Sequence, residues 1–145
     1  MCLWGINMEV KIFNYLPDDA QMIRQKVFVD EQGFKEEFDK IDDFADHFVL
    51  YDGSEPIATF RIFNGEKQGE YVLGRLAVIK EYRGKNIGSD ILSEAEKIVL
   101  NKKGKSIVLH AQCRAKNFYA KSGYVEFGEI GEEEGLPHIW MKKQL

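Results

Sequence analysis

The chain has 145 residues, of which 44% are hydrophobic and 12% aromatic, and its formal net charge is −4 at pH 7. This length predicts a single domain over residues 1–145, with enough apolar residues for an ordinary core. Basic residues are interspersed with acidic ones, which argues against a nucleic-acid binder, and no apolar run approaches the roughly 18–20 residues of a membrane span. Cys2 and Cys113 are too few for a disulfide framework and indicate a reducing cytoplasm.

The N-terminal residues 1–7 have no basic start, long apolar stretch or cleavage signature, so they do not resemble a signal peptide. Met8 begins the first convincing strand. We therefore interpret residues 1–7 as an upstream start or a short N-terminal extension.

The predicted elements follow from apolar periodicity and turn residues. In chain order we predict a strand at 8–13, a helix from 17–19 to 32–33, a helical turn within 34–43, strands at 48–51, 56–63 and 71–79, a helix over 88–103, a strand at 106–111, a short helix over 115–122, and strands at 124–127 and 138–143. Asp52-Gly53 predicts a hairpin, and Gly104 occupies the position of a helix C′ glycine. The order βα(α)βββαβαββ predicts a mixed α/β protein with a parallel crossover over 71–111.

Residues 73–90 (LGRLAVIKEYRGKNIGSD) place an apolar strand before a basic, glycine-bearing loop that opens directly onto a helix. Such a loop presents unpaired backbone N–H groups at the positive end of the helix dipole. Arg83 and Lys85 add full positive charges, so the loop suits a pyrophosphate. It lacks the Walker A and dinucleotide-binding patterns, and by itself it also fits a turn whose glycines only permit tight packing.

Residues 83–88 (RGKNIG) resemble the acyl-CoA loop of the GNAT superfamily of N-acetyltransferases, whose usual pattern is Arg/Gln-x-x-Gly-x-Gly/Ala. Asn86 stands where the family usually has Gly, and we expect it to adopt a positive φ. Residues 118–124 (FYAKSGY) resemble a second conserved segment of the same superfamily. Residues 24–32 (RQKVFVDEQ) and 137–141 (PHIWM) resemble its ElaA-like branch, so the resemblance covers about residues 8–145.

The resemblance implies the acyl-CoA N-acyltransferase fold, a central, mostly antiparallel sheet with one parallel β-α-β unit, and acetyl-CoA as co-substrate. In that fold a bulge in the strand before the loop exposes backbone groups to the pantetheine arm, and one N–H polarises the thioester carbonyl. The cofactor-binding residues that it implies are Leu76, Ala77 and Val78 on this strand, Arg83, Gly84, Lys85, Asn86, Ile87, Gly88 and Ser89 in the loop and first helical turn, and Gln112, Asn117 and Phe118 further on.

The resemblance makes Tyr119 the general acid that protonates the departing thiolate, since a phenol keeps its proton at neutral pH. The alternative role for Tyr119 is to pack the short helix against the sheet, a role that the neighbouring Phe118 fits better. Many relatives carry a Glu base on the bulged strand, where this chain has Arg75. The remaining base candidates are Asp46, His47 and, as the predicted catalytic residues, Glu31 and His138, for which structural or solvated roles are the alternatives.

Cys113 has no neighbouring base that would make it a nucleophile, so we interpret it as a small wall residue. Two acidic stretches are interpreted as solvated loops or as a negative funnel for a cationic amine; they contain Asp39, Asp42, Asp43 and Asp46, and Glu129, Glu132, Glu133 and Glu134. Neither has the spacing of a calcium loop, and His47, His110 and His138 show no zinc spacing with Cys. We predict no metal.

These observations favour a cytoplasmic, acetyl-CoA-dependent N-acetyltransferase in which a small-molecule or peptide amine attacks directly in a ternary complex. A non-catalytic acyl-CoA sensor with the same fold is the alternative, and a cofactor-free interaction module is the third interpretation. No nucleic-acid or membrane partner is predicted, and the sequence leaves open whether the chain is a monomer or a homodimer. The sequence does not indicate which amine is the acceptor.

Overall fold

The computed structural model describes residues 7–35 and 37–145, so the predicted N-terminal extension lies outside the described residues except for Asn7. The chain divides into two compact units, one formed by Met1–Phe63 and Arg75–Ile91 and the other by Asn64–Gly74 and Leu92–Leu145. Within the described ranges, no helix is long and apolar enough to cross a membrane.

The first unit combines an antiparallel sheet with an N-terminal helical segment. Its strands lie in the order β1-β2-β3-β4, in which β1 (Met8–Phe13), β2 (Asp46–Asp52) and β3 (Glu55–Asn64) pair antiparallel and β4 (Glu70–Val78) contributes its C-terminal part. Helix α1 (Asp18–Arg24) continues directly as a π-helix (Gln25–Glu31), and a 3-10 helix (Lys40–Asp43) precedes β2. The sequence pattern predicted this helix but not its change to π geometry.

The core of the first unit is apolar and aromatic. Phe48 and Phe60 lie on neighbouring strands with their ring centroids 4.6 Å apart and the rings nearly parallel. Ala20 and Ile23 are fully buried on α1, as the helical spacing of its apolar residues predicts. The predicted hairpin at Asp52-Gly53 is confirmed, because Gly53 adopts a φ of 61° between β2 and β3.

The second unit contains the parallel pairing that the sequence predicts. The N-terminal part of β4 pairs with β5 (Ser106–Gln112) in parallel, from Glu70 opposite Ser106 to Val72 opposite Val108. Antiparallel pairing then gives the order β4-β5-β7-β6, with β6 at Val125–Glu133 and β7 at Leu136–Gln144. Helix α2 (Ile87–Asn101) connects β4 to β5, and α3 (Lys116–Ala120) precedes β6. The mixed α/β fold and the predicted order of elements are confirmed.

The acidic stretch 129–134 is not the solvated loop expected from its composition. Strand β6 extends through Glu133, and only the turn at Glu134 and Gly135 separates it from β7. The strand pairs with β7 through Glu132 opposite Pro137 and Glu133 opposite Leu136. Every residue of β6 is exposed. Backbone pairing therefore holds these residues in a strand while their side chains remain in solvent.

The predicted role of Gly104 as a left-handed C′ residue is wrong. Lys103 adopts the positive φ, 64°, after α2, and the N–H of Gly104 donates to the carbonyl of Val99 at 2.8 Å. A β-carbon on Gly104 would lie 2.4 Å from Cγ1 of Val99 and 2.8 Å from the ring of Tyr71. Close packing, rather than backbone conformation, therefore requires glycine at this position.

This packing gives a testable expectation. Gly104→Ala should lower the free energy of unfolding by about 1–3 kcal/mol, because the added methyl group overpacks the contact between Val99 and Tyr71. Gly131→Ala is the matched control, since a β-carbon there meets nothing within 4 Å. We expect it to change stability by no more than about 0.5 kcal/mol. Urea unfolding of both variants tests this, and equal stabilities would contradict the packing explanation.

Candidate active site

The predicted acyl-CoA loop lies in the first unit, between β4 and α2. Gly84 has a φ of 78° and Asn86 a φ of 67°, so the expected positive φ of Asn86 is confirmed. The carbonyl of Asn86 accepts the first helical hydrogen bond, from the N–H of Asp90 at 3.1 Å. The loop therefore opens directly onto the N-terminus of α2, where unpaired N–H groups and the helix dipole favour an anion.

Two predicted site residues contact each other at this loop. Arg83 donates from Nη1 and Nη2 to the two carboxylate oxygens of Glu31, both at 2.8 Å, and from Nε to the carbonyl of Val78 at 2.9 Å. This charge-assisted hydrogen bond lowers the pKa of Glu31. The carboxylate is consequently a weaker base than an unpaired glutamate, whereas Arg83 is held next to the loop with 42% of its side chain exposed.

A closed ring of alternating charges occupies the region between α1 and β4. Its members are three arginines and three carboxylates, which alternate in the order Arg24, Glu37, Arg75, Asp39, Arg61 and Asp42. The contact distances run from 2.7 Å, between Arg24 and Asp42, to 3.3 Å, between Arg75 and Asp39. We call this arrangement the charge ring. Its formal charge is zero, so its acidic members do not form a negative surface.

Most of the charge ring is buried, which sets the protonation of its carboxyl groups. Burial acts to raise the pKa of Asp42, but hydrogen bonds and charge from Arg24 and Arg61 lower it to about 2. Glu37 is 1% exposed, and burial raises its pKa despite the neighbouring arginines. Two buried atoms, Oε1 of Glu37 and Nε of Arg61, have no hydrogen-bond partner among the described residues. The ring is therefore tightly paired but not fully satisfied.

Asp39 and Asp42 were expected to lie in a solvated loop or a negative funnel. This expectation is wrong for Asp42, which is buried, and for Asp39, which is partly exposed, it missed the ion pairs. Asp42 is 4% exposed and paired with two arginines, and Asp39 is paired with Arg61 and Arg75. The sequence did contain a signal for this arrangement. Arg24 stands beside Ile23 at the apolar spacing of α1, and a charged residue at a core position requires a partner.

Arg75 is the one member of the charge ring on β4, and its backbone is unusual. It adopts a φ of 49°, which for a long side chain costs on the order of 1 kcal/mol. The predicted pantetheine-contacting residues Leu76, Ala77 and Val78 follow directly. The sequence identified Arg75 only as a departure from the usual glutamate, so its conformation is a finding of the structure.

Tyr119 lies on α3 in the second unit. Burial raises its pKa to about 12, so the hydroxyl keeps its proton throughout the physiological range. Its ring packs edge-on against Phe118 and Tyr124, at centroid distances of 5.0 and 6.2 Å. The two interpretations of Tyr119, packing and proton donation, are therefore compatible in one side chain.

His138 is buried on β7 with a defined tautomer. Its Nδ1 lies 2.9 Å from the carbonyl of Leu136, and a carbonyl only accepts, so Nδ1 carries the hydrogen. Its Nε2 is 3.6 Å from Oε2 of Glu133. His110, which the sequence analysis did not select, lies 3.0 Å from Oε1 of Glu133 through its Nδ1. The His110 and His138 rings are 5.0 Å apart.

The remaining predicted residues have simpler surroundings. Gln112 ends β5 opposite His138, and its Oε1 accepts from Nε of Arg114 at 2.7 Å. Asn117 is exposed and Phe118 half-buried on α3, whereas Cys113 is a half-buried free thiol. His47, a base candidate, is buried with Nε2 2.9 Å from the carbonyl of Asp42, so it has a structural partner.

Comparison with known proteins gives consistent matches over nearly the whole chain. The model of the acetyltransferase (GNAT) domain family matches residues 15–145. YjcF of Bacillus subtilis, described as an uncharacterized N-acetyltransferase, is 34% identical over 86% of this chain and 90% of its own length. ElaA of Escherichia coli is 31% identical over 85% of this chain and 84% of its own.

Two solved structures have the same fold. The crystal structure of E. coli ElaA has a TM-score of 0.81 and covers 94% of this chain and 99% of that one, at 27% identity. An acyl-CoA N-acyltransferase from Pseudomonas aeruginosa has a TM-score of 0.83 with the same coverage of 94% and 99%. At 20% identity, this second likeness concerns the fold alone.

The positive φ of Asn86 predicts opposite effects of two substitutions. Asn86→Gly should preserve both thermal stability and CoA affinity, because glycine adopts this conformation without strain. Asn86→Val should lower both, because a β-branched side chain is strained at positive φ. Thermal unfolding and calorimetric CoA titration of the pair test this, and equal behaviour of the two variants would exclude a role for the backbone conformation.

The low pKa of Asp42 predicts that the folded chain loses stability in acid. Its pKa in the folded chain, about 2, is below the ordinary 3.8, so the stability that the carboxylate contributes is present above about pH 4 and lost as the pH falls towards 2. This shift corresponds to about 2 kcal/mol. Asp42→Asn should flatten this part of the stability curve in urea unfolding, whereas Asp43→Asn, at the exposed neighbour, should not. Carboxyl NMR titration of the unsubstituted chain gives an independent value, and a midpoint near 4 would contradict the assignment.

Proposed function

Because the chain belongs to the GNAT acetyltransferase family, it is an acyltransferase, and we propose that it transfers an acetyl group from acetyl-CoA to a primary amine in a ternary complex. The resemblance identified from the sequence motifs, including the ElaA-like branch, is confirmed by the same matches. The observation that carries the proposal is the loop before α2, where Gly84 and Asn86 both adopt positive φ ahead of a helix N-terminus.

The loop supports binding of a CoA pyrophosphate. Backbone N–H groups at the start of α2 supply donors, and Arg83 and Lys85 supply charge. Arg83 is bidentate to Glu31, and phosphate oxygens offer the same fork geometry, so we propose that the pyrophosphate takes over part of this contact. Leu76, Ala77 and Val78 would hydrogen-bond the pantetheine arm, and Ile87, Gly88, Ser89, Gln112, Asn117 and Phe118 complete the proposed contacts.

We propose His138 as the base that accepts the ammonium proton of the acceptor. Its Nδ1–H is committed to the carbonyl of Leu136, which leaves the Nε2 lone pair for a proton. Glu133, 3.6 Å from Nε2, would stabilise the imidazolium that forms. Glu31, the other predicted base, is less suited because Arg83 lowers its pKa.

Tyr119 is the proposed acid. When the neutral amine attacks the thioester carbonyl and the C–S bond breaks, the CoA thiolate leaves with the electron pair and takes a proton from the phenol. The proton that the new amide nitrogen loses then restores the phenol, directly or through solvent. A pKa of about 12 means that the phenol is protonated at neutral pH and is available for this step. Positioning of the two substrates supplies much of the remaining acceleration.

A non-catalytic acyl-CoA sensor would bind acetyl-CoA through the same loop but would need neither Tyr119 nor His138. An amine panel separates the two functions. Purified chain is incubated with acetyl-CoA and, in turn, polyamines, amino sugars, aminoglycosides and peptides with free N-termini, while thiol release and acetylated product are followed. Acetylation of at least one amine supports the enzyme. Calorimetric acetyl-CoA binding with no product from any class would favour the sensor, and no binding would contradict both.

Removal of the Tyr119 hydroxyl should slow catalysis without affecting binding. We expect Tyr119→Phe to keep its fold and its acetyl-CoA affinity while kcat falls by roughly 10²-fold, the lower end of the range for a general acid. The loss should be smaller with an acyl donor whose leaving thiol is more acidic, since that thiolate needs less protonation.

Tyr124→Phe is the matched control, because it makes the same chemical change on an aromatic neighbour. The Tyr124 hydroxyl donates to Glu96 at 3.2 Å, so its loss should lower stability by about 1 kcal/mol and leave kcat unchanged. Turnover of Tyr119→Phe equal to that of the unsubstituted enzyme, measured where chemistry limits the rate, would return Tyr119 to a packing role.

A further inference from the structure

The backbone of β4 turns into the left-handed region at Arg75, immediately before the three residues proposed to contact the thioester end of acetyl-CoA. A φ of 49° is unusual for a residue with a long side chain, and such a conformation persists only when the surroundings hold it. Glycine would adopt it without strain, but the chain has arginine. The side chain of Arg75 must therefore supply something that glycine cannot.

Arg75 is attached to the segment between the π-helix and the 3-10 helix by three contacts. Its Nε lies 3.1 Å from the carbonyl oxygen of Glu37 and 3.0 Å from Oε2 of the same residue. Its Nη2 lies 3.3 Å from Oδ2 of Asp39. Because the guanidinium is planar and rigid, contacts along one edge limit both the position and the direction of the side chain.

The partners of Arg75 are themselves held firmly. Glu37 accepts from Nε of Arg24 at 2.8 Å through its carboxylate and from Nη2 of Arg24 at 2.9 Å through its carbonyl. Asp39 accepts from Nη1 and Nη2 of Arg61 at 2.7 and 3.1 Å. Both supporting arginines are buried, which weakens solvent screening of these contacts. The rest of the charge ring is thus a rigid support for Arg75.

The three residues that follow Arg75 on β4 are anchored independently at their C-terminal end. Arg83 donates from Nε to the carbonyl of Val78 at 2.9 Å while its fork holds Glu31. Leu76, Ala77 and Val78 therefore lie between two arginine attachments, one at each end. Of these two arginines, only Arg75 has the left-handed backbone conformation itself.

We propose that Arg75 is a positioning residue for acyl transfer, and that the charge ring holds it so that a backbone N–H of Leu76, Ala77 or Val78 is aimed at the thioester carbonyl. The side chain itself does not touch the reacting atoms. This inference rests on the proposed acetyl-CoA chemistry, and it assigns to Arg75 the place on the strand where many relatives carry a catalytic glutamate. The function given to the residue is different: it orients a hydrogen-bond donor instead of accepting a proton.

Two substitutions separate the side chain from the backbone conformation. Arg75→Gly keeps the positive φ accessible but removes the attachment, and Arg75→Lys keeps the charge but loses the planar fork. In both we expect kcat to fall by on the order of 10-fold or more, since small misplacement of a catalytic donor has large effects on rate. Calorimetric affinity for CoA, which lacks the thioester, should stay within about threefold of the original value, because the loop before α2 is intact.

Tyr51→Phe is the control, since the Tyr51 hydroxyl donates to Asp19 in the same unit but outside the charge ring and β4. Loss of this hydrogen bond should lower the melting temperature, yet keep kcat within about threefold at a temperature well below unfolding. Arg61→Lys, which weakens the support of Asp39, should lower kcat in the same direction as Arg75→Lys. Full turnover in Arg75→Gly, or a loss of kcat in Tyr51→Phe equal to that in Arg75→Lys, would overturn the proposal.

Infrared spectroscopy of acetyl-CoA labelled with 13C at the thioester carbonyl gives a readout that needs no amine. In the complex with the unsubstituted chain, the carbonyl stretch should move to lower frequency than in free acetyl-CoA, and in Arg75→Gly it should return towards the free value. An unshifted band in the unsubstituted complex, or the same shift in both proteins, would overturn the role of Arg75 even if acyl transfer is observed. Absence of acetyl-CoA binding would instead contradict the proposed function itself.

Discussion

The structure of the first unit depends on one electrostatic arrangement, the charge ring. Three arginines and three carboxylates from α1, the segment before β2, β3 and β4 pair in alternation, and most of them are removed from water. Removing a single member would leave the ring with one uncompensated charge and two neighbours with one partner each instead of two, which costs more than the pairing itself contributes. The ring therefore acts less as a source of stability than as a geometric constraint. Each member fixes the positions of its two neighbours, and one of the members held in this way is Arg75 on β4.

An arginine also connects two separate elements at the edge of the predicted acyl-CoA loop. Arg83 joins Glu31, at the end of the π-helix, to the carbonyl of Val78, at the end of β4. Unlike Arg24 and Arg61, Arg83 is well exposed, so its ion pair is weak and exchangeable. The chain thus uses buried arginines where geometry must be held, and an exposed one where an anionic ligand is expected to compete. This difference in burial distinguishes Arg24 and Arg61 from Arg83, the arginine that we propose to bind the ligand.

The sequence predicted the order of elements, the parallel pairing of β4 with β5 and the positive φ of Asn86, because each follows from local patterns that span a few residues. It did not predict the charge ring, because pairing between residues as far apart as Arg24 and Asp42 cannot be read from spacing. The acidic stretch containing Asp39 and Asp42 looked solvated for the same reason. Contacts across β5, β6 and β7 likewise brought His110 to Glu133, a pair that no local motif marks. The proposed roles of Tyr119, His138 and the loop residues rest on the resemblance together with their surroundings.

The central claim is that the residues following Arg75 on β4 receive the acyl end of acetyl-CoA. Residue-resolved amide hydrogen exchange, measured with and without saturating acetyl-CoA, tests it most directly. The account predicts that acetyl-CoA slows exchange at one or more of Leu76, Ala77 and Val78, as well as at the loop residues 83–89, and leaves β1 unchanged. Slowed exchange in the loop alone, with Leu76, Ala77 and Val78 exchanging as in the free protein, would contradict the claim.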